Sequence, residues 1–362
     1  MSKKTRDYVI GTLKYGFGFG LLTYIIATNW APPGKRGLKD LLDHPIDYSA
    51  LGLAAVLMAF TVSLQIFRWY LLVRALDLPF TLRNAYRLGL IGYYYNTVLP
   101  GSIGGDLLKG YFIAKEQPSR RAAAVATVII DRAMGLFGLI LFVAVSGSIA
   151  WSLGNEQIDK EPALQQLVKV TGVLASSAIV GYLLLGLLPT RRADRFAGRL
   201  KAIPKLGHAL AEVWYAVWMY RQRMGTVVMG VAVTAVAHLA MMSSFYFASR
   251  SFVADNLPSF PEIMIIAPIG FIVQALPLSP GGVGVGEAAF AELFRIAGRN
   301  SEDGLAARLA LRIVEWALGF LGFLVYLRMK TELPMGDLEA AEEKSTHGGH
   351  MVDPPMGDSV KV

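Results

Sequence analysis

The sequence predicts an all-α polytopic membrane protein, and three observations lead to this fold class. Hydrophobic residues make up 54% of the chain and charged residues 17%, and the mean hydropathy is +0.45. Several apolar runs are long enough to cross a bilayer, and lysines and arginines cluster between them. A soluble protein of this length is usually more charged. We therefore interpret the net charge of +8 as topogenic, which argues against nucleic-acid binding.

The spanning segments follow from their length, because roughly twenty apolar residues cross a hydrocarbon core. About six crossings are expected, at about 8–28, 49–72, 122–149, 167–188, 226–248 and 306–327. The first apolar run follows Lys3, Lys4 and Arg6, as in a signal peptide. Its length and the absence of an A-x-A cleavage pattern favour an uncleaved helix.

Two more apolar regions, about 88–115 and 263–298, are each interrupted by a turn rich in proline and glycine. Neither half of either region is long enough to cross comfortably, so we interpret both regions as re-entrant hairpins made of broken helices. The charge bias of the loops then places both termini on the cytoplasmic side of the membrane. Residues 331–362 are expected to form a disordered polar tail in the cytoplasm.

The basic segment 190–222 allows two interpretations. It contains apolar residues at helical spacing among arginines and lysines, which is typical of a helix lying on the inner leaflet. An ordinary basic loop with a helix packed on the protein body is the alternative. The sequence alone leaves both open.

An internal repeat links the two interrupted regions. The stretch LPGSIGGD at 99–106 aligns without a gap with LPLSPGGV at 276–283, an offset of 177, and Leu, Pro, Ser, Gly and Gly coincide. The surrounding units, about 49–149 and 226–327, are predicted to start on opposite sides of the membrane. They would form an inverted repeat within one transmembrane domain, residues 1–330. Such repeats with paired breaks are typical of alternating-access transporters, and the breaks indicate the substrate site.

The breaks and the charged helices that follow them supply the candidate substrate ligands. Glycine-rich backbone and a helix N-terminus present N–H groups that suit an anion such as a phosphate. Ionisable residues within membrane helices are costly and therefore also indicate function. The candidate substrate-binding residues are Asn96, Ser102, Gly104, Gly105, Asp106, Lys109, Asp131, Arg132, Gln274, Ser279, Gly281, Gly282, Glu287, Arg312 and Glu315.

The charged candidates have two possible roles. Arg132 and Arg312 could contact a lipid head group, with the acids as counter-ions or proton carriers, or the charges could form a structural salt-bridge network. Arg312 and Glu315 are three residues apart and can pair. Asp131 and Arg132 are adjacent on a helix, so they point in different directions and need separate partners. Asp106 is expected to cap its helix or to pair with a basic residue.

Several classes of chemistry are not expected. The chain has no cysteine, which excludes disulfides, thiolate catalysis and cysteine-ligated metals. The five histidines are scattered, and nucleotide-binding and hydrolase motifs do not occur in a plausible context. We therefore predict no catalytic residue, no metal and no cofactor.

The motifs NTVLPGSIGGDLLK, IIDRAMGL, LPLSPGGVGVGEAAF and RIVEWALG together resemble the flippase-like, lysylphosphatidylglycerol synthase transmembrane-region family. The resemblance covers about residues 10–330 and implies an inner-membrane protein whose relatives translocate or otherwise handle anionic or aminoacylated lipids. Larger relatives carry a soluble aminoacyl-transferase domain, whereas only about 35 residues follow Leu327 here, so no synthase activity is expected. Relatives typically have an arginine three residues after the GGD aspartate. Lys109 keeps that charge but loses bidentate phosphate geometry.

The leading functional hypothesis is a lipid translocase for an anionic or aminoacylated phospholipid or a polyprenyl-phosphate-linked lipid. One alternative is a membrane-embedded transferase, which would have only Asp106, Asp131, Glu287 and Glu315 as candidate bases. Another is a non-catalytic membrane partner of a separately encoded glycosyl or aminoacyl transferase. The sequence does not predict the oligomeric state.

Overall fold

The computed structural model describes residues 3–32, 37–99, 104–117, 120–154, 159, 162–187, 190–203, 207–252 and 257–330. Its elements are helices, which confirms the all-α class. Candidate residue Ser102 and the predicted tail 331–362 lie outside these residues. The helices are α1 (Lys3–Trp30), α2 (Leu38–Leu42), α3 (Tyr48–Ala75), α4 (Leu82–Val98), α5 (Gly104–Glu116), α6 (Arg121–Ser152), α7 (Pro162–Leu187), α8 (Thr190–Lys201), α9 (Gly207–Tyr220), α10 (Met224–Arg250), α11 (Phe260–Gln274), α12 (Val285–Ile296) and α13 (Ser301–Lys330).

Among the described residues, five helical segments are long and apolar enough to cross a membrane. They are Tyr48–Ala75, Ala123–Ser152, Leu164–Leu184, Val217–Arg250 and Ser301–Met329. These segments match five of the six predicted crossings and confirm a multi-pass membrane protein. The remaining predicted crossing, 8–28, lies in α1, which has 28 residues but is not one of the five. The total number of spans stays a prediction.

Each interrupted region forms two short helices between two long ones. The helices α4 and α5 have 17 and 13 residues, and α11 and α12 have 15 and 12. Each is shorter than the roughly twenty residues that a crossing requires. The order long, short, short, long therefore occurs twice, in α3–α6 and again in α10–α13. The re-entrant path of these pairs stays a prediction.

The two groups of four helices pack against each other in matching pairs. The first helices of the groups, α3 and α10, contact each other. The short helix α4 packs on the long helix α13, and its counterpart α11 packs on α6. Within each group the short helices contact each other, and the second of them contacts the last helix. This arrangement brings the two breaks close together. An added Cβ at Gly281 would lie 3.1 Å from the Thr97 carbonyl oxygen.

The basic segment after α7 forms α8 and α9, which pack against each other. The indole Nε1 of Trp214 in α9 donates to the Ala193 carbonyl at 3.1 Å, and α9 also contacts α6. The arginines of α8, including Arg195 and Arg199, are exposed. Helix α9 therefore packs on the protein body, whereas contact of α8 with the inner leaflet stays a prediction.

Candidate functional site

An ion-pair cluster lies just after the first break. Asp106 is the third residue of α5, which begins at Gly104. Its carboxylate accepts a hydrogen bond from Arg132 Nε of α6 and lies 3.7 Å from Lys109 Nζ. The Asp106 side chain is only 11% exposed, whereas that of Arg132 is 45% exposed. Asp106 thus pairs with basic residues, as predicted. Two cations therefore share this carboxylate.

Asp131 belongs to a different network. Arg68 of α3 donates from Nε to Asp131 Oδ1 at 2.8 Å and from Nη2 to the Asp131 carbonyl at 3.1 Å. Its Nη1 donates to Thr234 Oγ1 of α10 at 2.9 Å. Arg68 and Asp131 are buried. The prediction that Asp131 and Arg132 need separate partners is confirmed. The Arg68 network joins α3, α6 and α10, which is a structural role.

The second break carries a buried ion pair. Arg312 of α13 donates from Nε to Glu287 Oε1 at 2.8 Å and from Nη2 to Oε2 at 3.1 Å. The Glu287 side chain is 0% exposed and that of Arg312 is 4% exposed. The same guanidinium donates to the carbonyls of Gly281 and Gly282 at 2.6 and 3.0 Å. Arg312 therefore satisfies the Gly281 carbonyl at the interruption of the helix, whereas the Gly282 carbonyl also accepts from Gly286 N–H at 2.8 Å.

Arg308 completes this second cluster and is a residue that sequence reasoning missed. Its side chain is 0% exposed and donates from Nη2 to Glu315 Oε2 at 2.6 Å. Arg312 Nη1 lies 3.6 Å from the same Glu315 oxygen, so the predicted Arg312–Glu315 pair exists only as a longer contact. In this second cluster the positive charges of Arg308 and Arg312 are balanced by the negative charges of Glu287 and Glu315. The sequence could have indicated this cluster, because residues 308, 312 and 315 are spaced so that they share one face of a helix. The expected start of the crossing at 306 had placed Arg308 at the helix end.

The same acid–arginine pair thus follows each break at the same helical position. Asp106 and Glu287 are each the third residue of their helix, since α5 begins at Gly104 and α12 at Val285. Arg132 and Arg312 are each the twelfth residue of theirs, since α6 begins at Arg121 and α13 at Ser301. At 1.5 Å per residue, both arginines lie about 16 Å along a long helix. The gapless alignment had paired Asp106 with Val283, which is the wrong register after the break.

The glycines at the two breaks have different roles, although the sequence aligns them. Gly281 and Gly282 have φ values of +54° and +69°, which favour glycine and allow the chain to turn. Gly104 and Gly105 instead begin α5 as helical residues. Gly105 lies at a close crossing with α4, because an added Cβ would be 1.8 Å from the Gly92 carbonyl oxygen.

Several backbone N–H groups expected to bind an anion are already hydrogen-bonded within the protein. Gly105 N–H donates to Asn96 Oδ1 at 2.9 Å, and Gly282 N–H donates to the Ser279 carbonyl at 3.2 Å. Gly284 N–H donates to Glu287 Oε2 at 2.7 Å. The protein itself therefore satisfies these three groups, and the anion cradle stays a prediction for the other N–H groups of the breaks. Of the other polar candidates, Ser279 Oγ and Gln274 Oε1 are buried without a hydrogen-bond partner in the part of the chain that the structure describes.

Comparison with known proteins identifies the family. The model of the lysylphosphatidylglycerol synthase TM region matches residues 34–322. The chain belongs to this family. Two relatives, each named "UPF0104 membrane protein", come from Methanothermobacter thermautotrophicus. They are 23% and 22% identical to this chain over 289 and 306 residues, which cover 75% and 78% of this chain and 82% and 84% of the relatives.

The match to the lysylphosphatidylglycerol synthase TM region includes both breaks and both acid–arginine pairs. Helix α1, Lys3–Trp30, lies outside the matched residues. The resemblance inferred from the motifs is therefore confirmed. Membership of this family of membrane regions is consistent with a role connected to membrane lipids.

Proposed function

We propose that the protein translocates a lipid with an anionic head group between the two leaflets of the inner membrane. The cluster after the first break carries this proposal. Lys109 and Arg132 share the Asp106 carboxylate, and the Arg132 side chain is 45% exposed. A head-group phosphate could accept hydrogen bonds from the guanidinium and from the Lys109 ammonium group. Unlike Arg312, Arg132 can be reached without unpacking the protein.

The two similar groups of helices support movement of the lipid in preference to static binding. Both have the order long, short, short, long, and the charge bias of the loops predicts that they have opposite orientations in the membrane. The equivalent ion pairs differ in exposure, since Arg132 is 45% exposed and Arg312 is 4% exposed. Two inverted groups of this kind are typical of alternating-access transporters, in which one group moves against the other around the substrate site.

The carboxylates argue against the transferase alternative. Asp106 and Asp131 pair with Arg132 and Arg68, respectively. Glu287 and Glu315 pair with Arg312 and Arg308. A carboxylate engaged by an arginine is a poor general base, because its oxygens already accept hydrogen bonds from the guanidinium. The four acids are therefore better suited to hold the arginines in place than to activate a nucleophile.

Transport by proteoliposomes tests the proposal directly. The wild-type chain is reconstituted with fluorescent phosphatidylglycerol, and movement between leaflets is followed by quenching of the accessible label. Arg132→Gln is expected to lower the initial rate at least about tenfold, since one charge-assisted hydrogen bond contributes about 1.5–3 kcal/mol. Arg132→Lys, which retains the charge, is expected to retain part of the rate.

A matched control removes an arginine elsewhere. Arg295 is 66% exposed and pairs with Glu292 within α12. Arg295→Gln is expected to leave the rate unchanged at equal amounts of monodisperse protein. The proposal would be contradicted if the wild-type chain moved neither phosphatidylglycerol nor a polyprenyl phosphate, or if Arg132→Gln and Arg295→Gln had equal effects.

A further inference from the structure

An open cleft lies between α4 and α13, at the ends of these helices remote from the breaks. Its volume is about 470 Å³. The lining residues are Leu82, Arg83, Tyr86, Arg87, Leu90 and Val325. It lies at the start of α4 and near the end of α13, which is the side that the charge bias predicts to be cytoplasmic. The residues of the two ion-pair clusters do not line it, so the cleft is separate from the candidate transport site.

Two arginines in this cleft have no protein counter-charge in the part of the chain that the structure describes. Arg83 and Arg87 are one helical turn apart, and like charges at this spacing repel each other by a few tenths of a kcal/mol. Neither side chain has a hydrogen bond or an ion pair with a described residue. By contrast, Arg68, Arg132 and Arg312 are all ion-paired. Two adjacent guanidinium groups without an acid suit a phosphate, which can accept hydrogen bonds from both.

The rest of the cleft is apolar and extends toward the membrane interior. Leu90 is seven residues after Arg83, about 10 Å along α4 at the helical rise. Val325 faces the same cleft from α13, five residues before this helix ends at Lys330. Along α4 the two arginines therefore precede Leu90, and Val325 adds an apolar contact from α13. This order matches a phospholipid head group followed by its acyl chain. Free phosphate would make no contact with the apolar residues of the cleft.

We propose that the cleft holds a phospholipid of the cytoplasmic leaflet. Arg83 and Arg87 bind its anionic head group, and an acyl chain lies along Leu90 and Val325. The site is a resident lipid site that differs from the transport site at the breaks. It does not require that the protein transports lipid, so binding and transport are measured independently.

Lipid binding to the full chain in detergent tests this site. Dioleoyl phosphatidylglycerol is titrated into the purified protein, and bound lipid is counted by native mass spectrometry, with phosphatidylcholine as the zwitterionic comparison. The double variant R83Q/R87Q is expected to bind phosphatidylglycerol at least about tenfold more weakly. The double variant R83K/R87K retains both charges and is expected to retain most of the affinity.

The matched control is R250Q/R295Q, which removes two exposed arginines of α10 and α12 that do not line the cleft. It is expected to bind phosphatidylglycerol as the wild type does. Equal losses in the two double variants, unchanged binding by R83Q/R87Q, or equal affinity for phosphatidylcholine would each overturn the proposal. So would displacement of the lipid by inorganic phosphate at millimolar concentration, because the acyl chain would then contribute nothing. If R83Q/R87Q does not fold, Arg87→Gln alone and a dihexanoyl lipid, both expected to bind more weakly, decide the question.

Discussion

Replacing Arg312 with glutamine is expected to destabilise the protein by about 3–5 kcal/mol, the usual effect of removing one partner from a buried ion pair. Glu287 is 0% exposed and would lose two hydrogen bonds from the guanidinium. The Gly281 carbonyl would lose its donor at the same time, while the Gly282 carbonyl would keep the hydrogen bond from Gly286 N–H. The melting temperature in detergent and the yield of monodisperse protein measure this effect. Arg312→Lys should be intermediate, because it keeps the charge but not the planar geometry.

Arg132→Gln is the matched comparison, because it changes the same residue type at the equivalent helical position. Arg132 is 45% exposed, and Lys109 Nζ remains 3.7 Å from Asp106 after the substitution. Solvent screens such a pair, so we expect a change in the free energy of unfolding of at most about 1 kcal/mol. Equal shifts for Arg132→Gln and Arg312→Gln would show that burial does not distinguish the two pairs. With the transport assay, this comparison separates a binding role at the first break from a structural role at the second.

The fold class and the approximate positions of five long helices could be predicted from the sequence, because each depends on local properties. The length of an apolar run decides whether it can cross a bilayer. Asp131 and Arg132 are adjacent on a helix and point in different directions, so their need for different partners could also be predicted. Asp106 required a nearby cation because an ionised carboxylate in an apolar segment is costly without one.

The sequence could not predict which charged residues form ion pairs or how the two repeats align after their breaks. Both depend on contacts between distant parts of the chain. Glu287 and Arg312 are 25 residues apart in sequence, and Arg68 and Asp131 are 63 apart. The gapless alignment assumed breaks of equal length, which hid the equivalence of Asp106 with Glu287. The anion cradle was expected because broken backbone needs partners. The sequence does not reveal that Asn96 and Arg312 already supply them.

Gly105→Ala is expected to have the largest steric effect of any single methyl addition at the first break. The added Cβ would lie 1.8 Å from the Gly92 carbonyl oxygen and 2.9 Å from Asn96 Oδ1. A backbone atom cannot rotate away as a side chain can, so α4 and α5 would have to separate. Small residues at such crossings allow helices in membranes to approach closely. We expect a loss at or above the upper end of the roughly 1–3 kcal/mol typical of overpacked cores, measured by the melting temperature in detergent.

Gly110→Ala makes the same chemical change in the same helix. It is expected to raise the melting temperature in detergent, whereas Gly105→Ala lowers it. The nearest side-chain atom to an added Cβ there is Val125 Cγ1 at 3.8 Å, an ordinary van der Waals contact. Alanine is also preferred over glycine within a helix by about 0.5–1 kcal/mol. Unchanged stability of Gly105→Ala would contradict the close crossing of α4 and α5.

Because Asp106 directly follows Gly105, separating these helices would also move the carboxylate that Lys109 and Arg132 share. We therefore expect Gly105→Ala to lower lipid transport even in molecules that fold, while Gly110→Ala retains it.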